Sequence, residues 1–319
     1  MSGSRTRLLG GLLSLLLAVP AMATSYDLTP GQELVGRIYS VEARFENTFA
    51  DLGEMYGFGY LELLAANPDI DPWLPGEGVQ VVMPGKHILP DAPREGIVIN
   101  LPEYRLYYFP PGGEKVMTYP VGIGREGWSS PIGQTRVARK EANPSWYPPQ
   151  SIREEHAAQG EYLPAVVPPG PDNPMGPFKM NLAMGAYVIH GTNKQFGIGM
   201  RVSHGCFRMN NADITELYPH IPIGTQVTIV NQPFKLGVHE GKLYLEVHTP
   251  LDEHGMPSTL DRQAAMQSLL AAQGAKVEGY RLDWGQIRDL VYAENGMPAV
   301  IGTPFQPEWA GKAYLGSSD

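Results

Sequence analysis

Cysteine is almost absent from this sequence, which has one in 319 residues. A single cysteine excludes an internal disulfide bond, so packing must stabilise the fold and the thiol of Cys206 is left free. Basic residues are scarce as well: 24 lysines and arginines stand against 33 aspartates and glutamates, a formal net charge of −9. An acidic chain of this kind is a poor ligand for nucleic acid, and we predict no such partner.

Long hydrophobic runs are also missing. The apolar run at residues 8–19 is shorter than the roughly 20 residues that a membrane-spanning helix needs. Arg5 and Arg7 precede it and Ala-Met-Ala follows at 21–23, which is the pattern of a cleavable signal peptide. We therefore predict a signal peptide over residues 1–23, and a mature chain that carries a charge of about −11 and has no transmembrane segment.

The chemically reactive side chains concentrate in residues 190–210. His190-Gly191-Thr192 opens this stretch, and Ser203-His204-Gly205-Cys206-Phe207-Arg208 follows. A cysteine attacks as the thiolate, and a nearby histidine can take its proton. Gly205 has no Cβ to obstruct a substrate carbonyl, and the amides of Gly205 and Cys206 could donate to the oxyanion that forms on attack. The residues therefore favour a thiol nucleophile.

Other readings of the same residues stay open. A lone cysteine is commonly a small buried hydrophobe. Zinc ligands could be drawn from His190, His204, Cys206 and His220, but their gaps match no short paired ligand spacing, so we predict no metal. Gly197 and Gly199 lie before a strand-like run and not before a helix, so we expect no nucleotide or flavin cofactor.

The order His-Gly-Thr, about a dozen residues, then Ser-His-Gly-Cys-x-Arg resembles the signature of the L,D-transpeptidase catalytic (YkuD-type) domain. Ser-Pro-Ile-Gly at 130–133 and Gly-Pro-Asp-Asn-Pro-Met-Gly at 170–176 support the resemblance, which covers roughly residues 30–250. It implies a periplasmic enzyme of Gram-negative bacteria that cross-links peptidoglycan or attaches the major outer-membrane lipoprotein to it. Carbapenems acylate enzymes with this motif.

The resemblance also implies the roles of individual residues. Cys206 would attack a stem-peptide carbonyl and His190 would be its base, although strand periodicity alone favours His204, which points to the same face as Cys206. A thiol paired with its base should have a pKa below the free value near 8.5. The remaining predicted catalytic residues are Gly191 and Ser203, and the predicted substrate-binding residues are Arg208, Gly191, Thr192 and Phe196.

The reaction implied is acyl transfer through a thioester. The acceptor could be the C-terminal lysine of a lipoprotein or the diaminopimelate of a second stem, which would give a 3-3 cross-link. Water could instead resolve the thioester, giving a carboxypeptidase or a lipoprotein-releasing amidase. A non-catalytic wall-binding protein is the remaining alternative.

The mature length predicts two or three domains, each with its own core. In residues 30–90, a strand, two short helices and a strand resemble a LysM module, which binds peptidoglycan glycan, although Glu46-Asn47-Thr48 replaces the usual Gly-Asp-Thr. The alternative is a packing module that binds nothing. The resemblance implies a mostly β catalytic domain of two packed mixed sheets over residues 94–231, and an α+β tail of unknown role fills 232–319.

Two further expectations concern irregular or polar stretches. Residues 143–177 hold nine prolines and show too little periodicity for a helix or a regular strand, so we predict an irregular lid or wall of the cleft. In the tail, His239, His248 and His254 are expected to be surface residues.

Overall fold

The computed structural model describes residues 24–194, 196–252, 254–258 and 261–305. The predicted signal peptide lies outside these residues. The described chain is mostly β, as predicted, and follows the order of elements that the sequence suggested. No helix among the described residues has the length and apolar character to cross a membrane.

The N-terminal part contains two short helices between strands. Its elements are β1 (Thr24–Asp27), β2 (Leu34–Gly36), β3 (Tyr39–Glu42), α1 (Phe49–Tyr56), α2 (Tyr60–Ala66), β4 (Gln80–Met83) and β5 (Lys86–Ile88). Strand β3 pairs with β4 in antiparallel fashion, and both helices pack over this pair. Thr48 caps the start of helix α1 and exchanges hydrogen bonds with Asp51. Gly57, in the left-handed conformation, caps its end.

The central part is a single curled sheet with two helices. Its elements are β6 (Gly96–Asn100), β7 (Arg105–Phe109), β8 (Lys115–Pro120), β9 (Ile123–Gly124), β10 (Gly133–Ala142), α3 (Gln150–Ala158), β11 (Phe178–Leu182), β12 (Val188–His190), β13 (Arg201–Ser203), β14 (Phe207–Arg208), α4 (Asn211–Leu217) and β15 (Gln226–Val230). The strand order is β1-β8-β7-β6-β15-β10-β11-β12-β14, while β9 pairs with β13 separately.

The predicted pair of packed mixed sheets exists as two halves of this curled sheet, which share β10. The first residues of β10 pair with β15 and the later ones with β11, and the register shifts between Val137 and Arg139. Such an irregularity bends a strand. The halves therefore fold over one apolar core, to which both contribute side chains such as Ile97, Met180 and Phe207.

The C-terminal part has its own sheet and core. Its elements are β16 (Phe234–His239), β17 (Lys242–Val247), α5 (Arg262–Ala272), α6 (Gly274–Val277), β18 (Tyr280–Leu282), α7 (Trp284–Ala293) and β19 (Ala299–Pro304). The four strands are ordered β16-β17-β19-β18. Apolar residues of α5 and α7 pack against this sheet, so the predicted helices bury one face each.

A buried polar cluster joins the three parts. The Lys235 ammonium lies 2.8 Å from carboxylate oxygens of both Glu103 and Glu246 and donates to the Ile88 carbonyl at 2.6 Å. His87 completes the cluster; its ring lies close enough to both carboxylates for a metal ion, but the Lys235 ammonium already pairs with both of them. Burial, with the nearby cations, lowers the pKa of His87 well below its usual value, so its ring is neutral.

His248 corrects one expectation. It was predicted on the surface, but its ring lies 2.7 Å from Glu246 and its side chain is only 11% exposed. This pair lies within the tail, which is anchored to the central part by the buried contact of Lys235 with Glu103.

The N-terminal part contacts the central part along a broad boundary. Strand β1 extends the central sheet by pairing with β8. Arg105 of β7 is buried and its Nη2 donates to both carboxylate oxygens of Glu62 in α2, at 2.7 and 2.5 Å. At the start of α2, the amides of Tyr60 and Leu61 donate to the carbonyls of Ile198 and Gly199. Helix α2 therefore holds the Gly-rich loop that leads to the Cys206 segment.

Candidate active site

Two short parallel strands bring His190 and Cys206 together. Strand β12 ends at His190, and β14 begins immediately after Cys206. Their register places Ile189 opposite Phe207 and His190 opposite Arg208. Ile189 and Phe207 are fully buried and hold this pairing in the core. Residues 16 positions apart in the sequence thus meet at one end of the sheet, where a loop can admit a substrate.

The thiol and the imidazole are both neutral at rest. Burial raises the pKa of the Cys206 thiol, although a hydrogen bond from the Val188 backbone and the charge of Arg208 oppose the shift. Burial and then the Arg208 charge lower the pKa of His190 to about 4, against hydrogen bonds to the Gly191 and Pro174 backbones. The expectation of a lowered thiol pKa is therefore not met, because desolvation disfavours both charged forms.

The same contacts define the geometry of the pair. His190 Nδ1 lies 2.6 Å from the Gly191 carbonyl, to which this nitrogen donates. Cys206 precedes the strand that pairs with the strand of His190, and in the described part of the chain no direct hydrogen bond joins the thiol to the imidazole. Catalytic hydrogen bonds are often loose before substrate binds.

The backbone before the nucleophile is held by two serines. Ser203 Oγ donates to the Cys206 carbonyl at 2.6 Å and accepts from the Gly205 amide at 3.1 Å. Ser130 Oγ donates to the Gly205 carbonyl and accepts from the Gly124 amide, both at 2.9 Å. The Gly205 amide must leave Ser203 before it can serve an oxyanion. Ser130, which the sequence analysis noted only within the Ser-Pro-Ile-Gly motif, therefore positions the backbone of Gly205.

Gly205 is required by the backbone. Its φ is +96°, a region that glycine adopts readily and other residues do not. A Cβ at this position would also lie 2.7 Å from the Tyr187 ring. Glycine is therefore required at position 205 by the turn before Cys206, in addition to the predicted role in substrate access.

The His190 loop is closed by Asn211, the first residue of helix α4. Asn211 Oδ1 accepts from the Thr192 amide at 2.8 Å, and its Nδ2 donates to the Thr192 carbonyl at 2.7 Å. Thr192 is 1% exposed and its hydroxyl donates to the Lys194 carbonyl. Gly191 is buried too, so these two predicted substrate contacts shape the loop and orient His190.

Arg208 is charged and has no ionic partner among the described residues. Its Nε is buried without a hydrogen bond, and burial lowers the pKa of the guanidinium. Its backbone is fixed by a two-way bridge to Gly122, so the side chain starts from a rigid position. An unpaired guanidinium next to a nucleophile suits a substrate carboxylate.

Phe196 lies away from the thiol and packs against the N-terminal part. Its ring centroid is 5.6 Å from that of Tyr60 and 5.5 Å from that of Trp73. Phe196 remains 46% exposed. The predicted contact with substrate therefore falls at the boundary between the N-terminal part and the cleft.

His204 is held by a helix that the sequence did not predict. Helix α3 interrupts the proline-rich stretch that was expected to be irregular. From it, Glu155 Oε2 lies 2.8 Å from His204 Nε2, and Glu155 also pairs with Arg125. The Trp128 ring meets the imidazole edge-on at 4.8 Å between centroids. The helix has no buried residue, so no hydrophobic periodicity could reveal it.

The candidate zinc ligands do not assemble. His220 is exposed in a turn after α4, while His204 is bound to Glu155. Among the described residues, the one group with metal-ligand geometry is the buried cluster of His87, Glu103 and Glu246, which shares no residue with the proposed ligands.

A thiol and an imidazole on adjacent parallel strands, beside an unpaired arginine, are the groups that acyl transfer through a covalent intermediate requires. The site and the curled β fold are therefore suited to acyl transfer. The family description "L,D-transpeptidase catalytic domain" (YkuD) matches residues 94–229.

Whole-chain relatives carry the same description. The probable L,D-transpeptidase YcfS of Escherichia coli is 44% identical over 298 residues, which cover 89% of this chain and 90% of that protein. The probable L,D-transpeptidase ErfK/SrfK of Salmonella typhimurium is 40% identical over 292 residues, which cover 90% of this chain and 94% of that protein. The chain belongs to the L,D-transpeptidase family, and it is an enzyme of peptidoglycan.

Proposed function

We propose that this enzyme transfers an acyl group from a tetrapeptide stem of peptidoglycan, through a thioester on Cys206, to an amine. The observation that carries the proposal is the parallel pairing of β12, which ends at buried His190, with β14, which begins directly after the chain's single cysteine. The family relationship supports a transpeptidase, and this pairing supports Cys206 as its nucleophile.

The first half-reaction begins from a neutral pair. The thiol turns from the Val188 backbone toward His190 and gives it a proton as the sulfur attacks the carbonyl at the L-centre of diaminopimelate. A carbon–sulfur bond forms, the carbon–nitrogen bond to D-alanine breaks, and the imidazolium protonates the departing amine. The Cys206 amide, joined by the Gly205 amide once it leaves Ser203, stabilises the oxyanion.

The second half-reaction reverses these steps with a new amine. The amine attacks the thioester carbonyl, His190 takes its proton, and the thiolate leaves and is reprotonated. We propose a lipoprotein lysine or a second diaminopimelate as the acceptor, with water as the competing alternative. A lysine amine and a diaminopimelate amine would attack the thioester in the same way and need the same base, so the acceptor must be found by experiment.

Arg208 supports a donor that carries a free carboxylate. Its guanidinium is half-buried and unpaired in the described residues, and a bound carboxylate would supply the missing ionic partner. Two parallel hydrogen bonds from the planar fork would also fix the orientation of the stem. Arg208→Lys keeps the charge but loses the fork, so we expect a raised KM for the stem peptide with a smaller change in kcat.

The cellular setting follows from the sequence. We propose export to the periplasm by the signal peptide over residues 1–23, with residues 30–90 as a LysM-like module that binds wall glycan and residues 232–319 as the tail. The strand–helix–helix–strand order of the N-terminal part supports that module. Its packing on the Gly-rich loop equally supports a scaffolding role, and a sacculus pull-down with Trp73→Ala would separate the two.

The decisive experiment supplies purified mature enzyme with tetrapeptide stems, alone and with a lysine-terminated peptide, and identifies the products by mass. Release of D-alanine with a joined product supports transpeptidation, and release with a bare tripeptide supports the hydrolytic alternative. No release, or equal release by Cys206→Ala, contradicts the thioester mechanism. A carbapenem should add one covalent adduct on Cys206, and an adduct on a serine would count against the assignment.

A further inference from the structure

The proline-rich insertion, residues 143–177, contacts the His190 loop near its end, at Asp172 and Pro174, whereas its helix α3 reaches the cleft at one polar group. Its helix α3 buries no side chain, and Tyr147 and Tyr162 of the insertion are 67% and 87% exposed. Glu155 is the residue of α3 that reaches the cleft, where it contacts both Arg125 and His204. Apolar packing therefore contributes little to the placement of this helix.

The three residues form a closed group. Glu155 Oε2 lies 2.8 Å from His204 Nε2, and Arg125 Nη2 lies 3.2 Å from the same nitrogen. Because Arg125 can only donate, Glu155 is the acceptor that can serve both neighbours. Arg125 is itself anchored, since its amide donates to the Ser203 carbonyl at 2.9 Å.

The group touches the segment that carries the nucleophile. His204 stands between Ser203, whose hydroxyl donates to the Cys206 carbonyl, and Gly205, whose carbonyl accepts from Ser130. Helix α3 of the insertion contacts this segment through the His204 side chain. A movement of α3 would therefore be transmitted to the turn two residues before Cys206.

We propose that Glu155 is a positioning residue, which clasps helix α3 over the cleft and holds the segment of Cys206 through His204 and Arg125. The inference rests on the proposed function, because it takes Cys206 as the nucleophile. The insertion then acts as a lid. Its closed position and the geometry of the Cys206 segment both depend on the Glu155 carboxylate.

Charge favours the closed position at neutral pH. The hydrogen bond to His204, followed by the charge of Arg125, lowers the pKa of the Glu155 carboxyl, so this carboxylate is ionised under working conditions. Two other titratable side chains of α3 have partners away from the nucleophile's segment: Glu154 accepts from Gln150, and His156 pairs with Glu161. Glu155 alone of these groups connects the helix to the nucleophile's segment.

The test compares Glu155→Ala and Glu155→Gln with Glu154→Gln, a matched change on the same helix that touches no cleft residue. Two reactions at Cys206 of the mature enzyme are measured. One is acylation by a carbapenem, which needs the assembled site, and the other is alkylation by iodoacetamide, which needs an accessible thiolate but no oriented substrate. A charge-assisted hydrogen bond contributes enough to change a rate about tenfold.

We expect Glu155→Ala to slow carbapenem acylation about tenfold and to accelerate alkylation about threefold, with Glu155→Gln between this variant and the wild type. Glu154→Gln should leave both rates within about twofold of the wild type. The insertion of Glu155→Ala should also be cleaved faster by a protease, while the thermal midpoint stays unchanged. A loss of structure alone would not move the two rates in opposite directions.

The proposal is overturned if Glu155→Ala behaves like Glu154→Gln, or if both rates change in the same direction. A double-mutant cycle with Arg125→Gln adds an independent criterion, because additive effects would show that the two residues do not act as one group. If wild-type enzyme releases no D-alanine, the proposed function fails, whereas alkylation and proteolysis still decide whether the clasp exists.

Discussion

The buried ion pair between Arg105 and Glu62 allows a strong prediction about how the N-terminal part supports the active site. Both side chains are buried, with exposed fractions of 1% and 9%. Glu62 Oε2 also accepts from the Gly59 amide at 3.0 Å, which caps helix α2. Glu62→Ala therefore removes the partner of a buried cation and a helix cap in one change.

The expected cost is large. Loss of one member of a buried pair typically destabilises a protein by about 3–5 kcal/mol, because the remaining charge is uncompensated. This is a substantial part of a typical stability of about 5–15 kcal/mol. For a chain of this size it corresponds to a fall in the thermal midpoint on the order of 10 °C.

The double variant Arg105→Met with Glu62→Leu is the matched control. Burial raises the pKa of Glu62 even against the charge of Arg105, so desolvation offsets much of the attraction within the pair. Apolar replacement of both partners is often neutral in such cases. We therefore expect the double variant to recover most of the stability that Glu62→Ala loses.

Activity should respond as well. Helix α2 donates two backbone hydrogen bonds to the loop at Ile198 and Gly199, and Gly197 of that loop lies beside the Arg208 side chain. Chemical denaturation and stem-peptide KM are the two measurements. A loss below about 1 kcal/mol in Glu62→Ala, or a double variant no more stable than the single one, would refute this reasoning.

Three further predictions address the titrating groups of the site. Cys206→Ala should abolish turnover, whereas the thermal midpoint should stay unchanged because only one half-buried sulfur is lost. Residual activity would contradict the thioester mechanism. His190→Ala should slow acylation at pH 7 by about 10²-fold or more, and its rate should recover at higher pH. The loss of rate in His204→Ala should not depend on pH. If the iodoacetamide rates show the opposite pattern, the assignment of His190 as the base is reversed. Asp213 is buried, and desolvation raises the pKa of its carboxyl to about 7, so wild-type stability should fall as pH rises from about 4 to 7. Asp213→Asn should remove that loss, and unchanged denaturation midpoints at pH 5 and 8 would argue against it.

Local signals in the sequence identified several of the regular elements. The strand, two short helices and strand predicted in residues 30–90 are present as β3, α1, α2 and β4. Helix α3 was missed because its residues show no apolar face and prolines surround it.

The sequence by itself identified the family and led to Cys206 as the proposed nucleophile, because one cysteine in a motif with fixed neighbours leaves few alternatives. It could not decide how the thiol ionises, since the pKa values of Cys206 and His190 depend on burial that the curled sheet creates. It also could not reveal that Glu155 meets His204 or that Glu62 meets Arg105, across 49 and 43 residues of chain. Periodicity and turn chemistry act over a few residues, whereas such contacts exist only once β10 bends and the N-terminal part packs on the central sheet.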